Sequence, residues 1–279
     1  GNISIIGAPG NLMGVSALNE LGIETSFFEY LIVGGPMMLA GILYFALFGY
    51  KLLPKNSGAA SLEDDQFAVK DYSDVPKWKQ YMSLAVLVIA ILAMVFEKQI
   101  GIKLQVSASV GAIILILTGV ISEKETLKSI DLKTVFLFGG SLALATALEH
   151  TGAGSLIADT LIGAMGNEVH PLILLVVIFV ITCTMTNFMS NTATTALMVP
   201  IAVSLAQSLG ADPRAVVIAT VIAGSCAYAT PIGMPANTMV VGIGGYKFID
   251  YVKAGLPLIL VSFIICMVIL PVAYPFFPA

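Results

Sequence analysis

Thr184-Met185-Thr186-Asn187-Phe188-Met189-Ser190-Asn191-Thr192-Ala193-Thr194-Thr195 is a polar stretch between two apolar runs, residues 171–183 and 196–209. Each run has only 13 or 14 residues, well short of the roughly 20 a helix needs to cross hydrocarbon. Irregular backbone at membrane depth is tolerated only where protein or a water-filled cavity encloses it. The spacing therefore predicts the two arms of a re-entrant hairpin, residues 171–209, with the polar cluster at its tip.

The rest of the chain supports a membrane setting. Apolar residues make up 58% and charged residues 11%, against about 45–50% and about 25% in a soluble domain, so a soluble fold has too little polar surface to cover them. Long apolar runs at 30–50, 81–96, 106–121 and 256–276 approach spanning length, and no ten-residue alternation suggests a barrel. The expected fold is an all-α polytopic membrane protein, with helices at 28–50, 80–97, 106–121 and 134–150, the hairpin, a broken helix at 214–245 and a last helix at 250–276. With residues 51–79 as a cytoplasmic linker, ten of the 13 Lys and Arg residues fall inside and Lys98, Lys103 and Arg214 outside, as the positive-inside rule requires.

Several polar features need no special function. The charged stretch 121–133 reads as an interfacial helix, and the acidic run Glu63-Asp64-Asp65 as part of a solvated connector. Glu149, His150 and Asp159 read as interfacial residues. Cys183, Cys226 and Cys266 lack CxxC spacing and read as small buried hydrophobes. The net charge of -4 is split between two membrane faces and points to no nucleic acid. No phosphate loop, HExxH or Ser-His-Asp set is present, which argues against an ATP-driven pump or a membrane hydrolase, and no enzymatic activity is expected.

An internal repeat gives the organisation. Ile6-Gly7-Ala8-Pro9-Gly10-Asn11-Leu12-Met13 matches Ile232-Gly233-Met234-Pro235-Ala236-Asn237-Thr238-Met239 as I-G-x-P-x-N-x-M, and Glu29-Tyr30-x3-Gly34-x-Pro36 matches Asp250-Tyr251-x3-Gly255-x-Pro257. Paired Gly/Pro interruptions in corresponding apolar segments are the mark of a secondary transporter built from inverted repeats, whose broken helices meet near the midplane. Residues 1–50 then end a first repeat and 80–279 form the second. Ser190 precedes Gly233 by 43 residues, so the first repeat's own tip is expected about 36 residues before Gly1. The start without methionine, in mid-motif and with no signal peptide, reads as that of a fragment.

The tip suits small ions. Hydroxyls, an amide and unwound carbonyls at Ser190-Asn191-Thr192 are the hard oxygen ligands sodium favours, and the N-terminus of the following arm carries a partial positive charge for an anion. At the second break, Pro235 frees a carbonyl and Gly233 permits unusual backbone.

These residues carry a family resemblance. Ser190-Asn191-Thr192, the two G-x-P-x-N breaks, and Phe138-Gly139-Gly140-Ser141-Leu142-Ala143-Leu144-Ala145 with Thr151-Gly152 resemble the divalent anion:sodium symporter family, the di- and tricarboxylate and sulfate transporters, over essentially all 279 residues. The resemblance implies a homodimer in the cell (inner) membrane, working by an elevator motion, with sodium ion and a small dianion between two hairpin tips and two broken helices. It implies one sodium site from Thr186, the Met189 carbonyl, Asn191 and the Gly233 carbonyl, with Gly7 in the other half-site. Ser190, Asn191, Thr192, Met234 and Pro235, with Ala8 and Pro9, would face the substrate. Family members that take dicarboxylates often carry Ser or Thr where this chain has Ala8 and Met234, which leaves sulfate, another oxyanion or a more apolar acid open. A proton-coupled or exchange transporter of an oxyanion, and a truncated, non-transporting membrane subunit, are the alternative readings.

Overall fold

The apolar runs form helices, and no strand occurs among the described residues. The computed structural model describes residues 1–54, 75–153, 156, 160, 163, 170–234, 236–238, 240 and 245–277. Glu63-Asp64-Asp65, Asp159 and Pro235 lie outside that set, as does the side chain of Glu149. In chain order the helices are α1 (Pro9–Glu20), α2 (Leu31–Leu47), α3 (Lys77–Val95), α4 (Glu97–Ile100), α5 (Leu104–Leu117), α6 (Glu123–Ser129), α7 (Leu132–Thr151), α8 (Pro171–Thr186), α9 (Asn191–Ser208), α10 (Pro213–Gly224) and α11 (Phe248–Ala273). They fall into two compact units, Gly1–Glu63 with Thr134–Ala279, and Asp64–Lys133.

In the smaller unit α3 packs on α5, where the buried Gly111 brings the backbone to within van der Waals reach of Val86 and Ala90. The outward faces of both helices stay apolar, with Leu87, Ile89, Ile113 and Leu117 exposed, a surface suited to lipid rather than water. The short α6 starts with a capping box: the Glu125 N–H donates to Ser122 Oγ (3.3 Å) and the Ser122 N–H to Glu125 Oε2 (3.0 Å). By length and composition α3 and α11 are able to cross a membrane.

The larger unit is built around α10. Ala215 through Gly224 are all buried, as expected of a helix that is apolar all round, and α10 packs against α8, α9 and α1. Helix starts follow local chemistry. The His170, Ser190 and Asp212 side chains accept from the N–H groups of Leu172, Ala193 and Arg214, and Pro171 and Pro213 occupy first helical positions, where no N–H is needed. α2 pairs with α11, tied by the Tyr44 hydroxyl to the Ala254 carbonyl at 2.8 Å.

Residues 214–245 are not one helix with a single kink. α10 stops at Gly224, and the backbone from Ser225 to Met234 is irregular. Side chains replace the helical bonds there. Asn237 Nδ2 donates to the carbonyls of Ala227 (2.6 Å) and Thr230 (2.8 Å), and Asn187 Oδ1 accepts from the Ala229 N–H (3.0 Å). Buried peptide groups that leave a helix need such partners.

The two stretches with shared sequence also share these bonds. Asn11 Nδ2 donates to the carbonyls of Gly1 (3.0 Å) and Ser4 (2.8 Å), ten and seven residues back, the same offsets as for Asn237. The Tyr30 hydroxyl donates to the Asn11 carbonyl (3.0 Å), and the Tyr251 hydroxyl to the Asn237 carbonyl (2.8 Å). Glu29 accepts from the Ser26 N–H in the turn that precedes α2, and Asp250 from the Lys247 N–H at the start of α11, each three residues back. A Cβ on Gly34 would strike the Asn2 carbonyl, and one on Gly255 the Tyr228 carbonyl. The acid-Tyr-x3-Gly spacing thus has a physical reason: an acid that closes the entry to the helix, a Tyr tether, and close approach of helix to break. Removing the fully buried Tyr30 hydroxyl leaves the Asn11 carbonyl short of a donor, so Tyr30→Phe is expected to cost about 1 kcal/mol. Tyr251→Phe, at a half-buried position, should cost less. Thermal unfolding of the purified variants in detergent checks the order.

Candidate functional site

The site forms where α8 ends and α9 begins. α8 ends at Thr186, and the turn through Asn187–Ser190 is closed by the N–H groups of Phe188 and Met189 on the Met185 carbonyl (3.0 and 2.9 Å). Ser190 caps α9 through the Ala193 N–H at 3.2 Å.

Thr186 is fully buried, and its hydroxyl donates to the Gly224 carbonyl at the end of α10 (2.5 Å). Its single proton is then used, so the Asn191 amide atom 2.8 Å from the same oxygen is the NH2 group. In that orientation Asn191 Nδ2 also reaches the Gly233 carbonyl (3.1 Å) and the Gly224 carbonyl (3.2 Å). Three oxygens from three segments, Thr186 Oγ1, Gly224 O and Gly233 O, therefore converge on one amide nitrogen. Gly233 fits because its Cα side faces Ala227 Cβ and the Thr186 carbonyl, 2.7 and 3.0 Å from where a Cβ would stand.

The first break lies beside the same helix. Ala8 and Pro9 lead into α1, and Gly10 abuts Thr195 of α9, whose Oγ1 stands 3.0 Å from where a Gly10 Cβ would be. Thr195 Oγ1 in turn donates to the Asn191 carbonyl (2.9 Å), and a Cβ on Gly224 would strike it from the other side. The starts of α1 and α9 are thereby held close. Each presents helix N-terminal N–H groups and a partial positive charge.

Of the residues singled out from the sequence, Thr186, Asn191 and Gly233 meet directly. Ser190 and Thr192 flank Asn191 at the start of α9, Ser190 exposed and Thr192 half-buried. Met189 is on the exposed turn, and Met234 follows Gly233, half-buried. Gly7 precedes Ala8 and Pro9 and packs against the Gly1 carbonyl. Pro235 lies outside the described residues. The Gly224 carbonyl is the addition: a backbone atom at a helix end has no side-chain signature, and only the Gly224-Ser225 step out of an apolar run marks it. Among the described residues no group of His, Cys, Asp and Glu is arranged to hold a metal, so hydroxyl, amide and carbonyl oxygens are the ligands on offer.

Apolar helices with outward apolar faces, together with a polar site made of helix ends and breaks in the larger unit, define a multi-pass membrane protein of the transporter class. The chain belongs to the citrate transporter family, whose sequence model matches residues 1–223. It is 32% identical over 156 residues to the uncharacterized transporter YfbS of Escherichia coli, covering 56% of this chain and 25% of that protein. An uncharacterized transporter of Methanocaldococcus jannaschii is 29% identical over 271 residues, covering 94% of this chain and 58% of its own. The sodium-dependent dicarboxylate transporter SdcS of Staphylococcus aureus is 27% identical over 304 aligned positions, covering 99% of this chain and 58% of its own. The chain thus spans between a quarter and three fifths of the length of these relatives.

Proposed function

We propose that the protein carries out sodium-coupled symport of a small divalent anion, a dicarboxylate or sulfate, across the plasma membrane. The observation that carries the reading is the Asn191 amide, enclosed by Thr186 Oγ1, Gly224 O and Gly233 O. These neutral oxygens suit a hard monovalent cation, which would take the place of the Asn191 NH2 group with Oδ1 turned toward it, and the adjoining N-termini of α1 and α9 suit an anion without any buried Lys or Arg. The resemblance to SdcS, named for sodium-dependent dicarboxylate transport, supports the same reading.

In this reading Thr186, Asn191, Gly233 and the Met189 carbonyl hold sodium, with Gly7 in the other half-site. Ser190, Asn191 and Thr192, with Met234, Pro235, Ala8 and Pro9, face the anion. The two break-and-helix stretches belong to inverted repeats, 171–209 is a re-entrant hairpin, and a homodimer works as an elevator. Ala8 and Met234 bring no hydroxyl to the pocket, so the anion is gripped mainly by helix ends and Ser190, Asn191 and Thr192.

Uptake of radiolabelled citrate, succinate and sulfate into proteoliposomes holding the full-length protein, with and without an inward sodium gradient, tests this. At least one anion is expected to enter on the order of tenfold faster with sodium, the scale of a coupling free energy of 1–3 kcal/mol. Uptake at the same rate in choline and sodium would overturn the coupling.

A further inference from the structure

We infer that Asn187 is a positioning residue: it sets how closely the hairpin tip approaches the Gly233 carbonyl, and through that the affinity for sodium, while touching neither ion nor anion. The inference rests on the sodium-coupled reading above.

Asn187 follows Thr186 directly and is buried, yet its carboxamide does not join the cluster around Asn191. Nδ2 donates to the carbonyls of Cys183 (2.7 Å) and Cys226 (3.3 Å), and Oδ1 accepts from the Ala229 N–H (3.0 Å). Its own carbonyl accepts from the Thr230 hydroxyl (2.5 Å). One residue thus ties the end of α8 to both ends of the 226–230 segment. A carboxamide supplies two donors and an acceptor without charge.

The segment is gripped from its other side by Asn237, through the Ala227 and Thr230 carbonyls. Held between two amides, it carries Gly233 three residues beyond Thr230. Thr186, one residue before Asn187, carries the hydroxyl that the Asn191 amide meets. The spacing between Thr186 Oγ1 and Gly233 O is therefore fixed from outside the cluster. A cleft of about 310 Å³ against Asn187 and Thr230, lined mainly by apolar side chains such as Phe179, Phe188, Phe248 and Leu256, offers little to replace a lost bond, so deleting one is felt in full.

The test uses the full-length protein in proteoliposomes and reads three quantities for each variant: half-saturating sodium, half-saturating anion at saturating sodium, and maximal rate. Thr230→Val is expected to raise half-saturating sodium about fivefold and Asn187→Asp about tenfold or more, the scale of one or more buried hydrogen bonds. Thr230→Ser, which keeps the hydroxyl, should stay within about twofold of wild type on the same scale. Half-saturating anion and maximal rate should change little in the two Thr230 variants. Should Asn187→Asp fail to fold, the Thr230 pair carries the test. Unchanged sodium dependence in Thr230→Val, or a fall in its maximal rate alone, would overturn the inference while leaving the symport reading intact. Sodium-independent uptake by the wild type would instead overturn the symport reading, and the positioning role with it.

Discussion

Asn191→Ala is expected to lower sodium-driven uptake by about 100-fold at subsaturating sodium, the largest functional effect of any single side chain in the molecule. The substitution removes the amide that meets Thr186 Oγ1, Gly224 O and Gly233 O at 2.8, 3.2 and 3.1 Å. A methyl group provides neither a ligand oxygen for a cation nor a donor for the carbonyls. Leaving the buried Gly233 carbonyl without this donor costs about 1–3 kcal/mol, and a factor of 100 corresponds to about 2.7 kcal/mol. Asn191→Asp separates the contributions: it keeps an oxygen for sodium but sets a negative charge beside the start of α9, so anion affinity should suffer more than sodium affinity. Uptake titrated against sodium and against the anion reads both. An Asn191→Ala protein that transports at the wild-type rate with wild-type sodium dependence would remove this residue from the site.

Gly255→Ala and Gly34→Ala, at matching places in the two stretches of shared sequence, are expected to be strongly destabilising small substitutions. The new methyl would meet the Tyr228 carbonyl in one case and the Asn2 carbonyl in the other. Both obstacles are main-chain atoms, so no rotamer change relieves them. Overpacking costs typically about 1–3 kcal/mol, and these positions belong at the upper end. That corresponds to a fall in Tm of roughly 6–12 °C for a chain of this size, read by thermal unfolding in detergent. Gly139→Ala is the control, because a Cβ there would meet open space within α7 and Ala favours a helix over Gly. A Gly255→Ala protein that melts with the control would show that α11 does not need to approach the break so closely.

Much of this was legible in the residues. Apolar runs marked the helices because lipid leaves the backbone no other way to satisfy itself. The Ser190-Asn191-Thr192 cluster stood out because polar residues interrupt runs too short to span. The register of the two copies was visible as text, and its cause, the Asn and Tyr tethers and the glycine contacts, only in three dimensions. The length of the second break was hidden for a related reason. Pro231 disfavours helix at Thr230 and removes a donor, but the break starts earlier, at Ser225, and there the chain is held by bonding to Asn187 and Asn237, one of them about forty residues away in sequence. The Gly224 carbonyl and the squeeze of Thr195 between Gly10 and Gly224 were equally out of reach, since both arise from backbone and from helices that sequence spacing does not bring together.

The tethers around each break also bear on how the chain assembles during synthesis. The contacts that knit the first break, from Asn11 to Gly1 and Ser4, from Tyr30 to Asn11 and between Gly34 and Asn2, all close within 34 residues. Those of the second break, apart from the bonds to Asn187, close between Ala227 and Gly255. By contrast, Gly10 against Thr195 and Tyr44 on Ala254 join residues about 200 apart. Low-contact-order pieces form first because they close the smallest loops. Contacts within each break are therefore expected to close early, and the enclosure that brings α1 beside α9, which needs residues far apart in the chain, to close later.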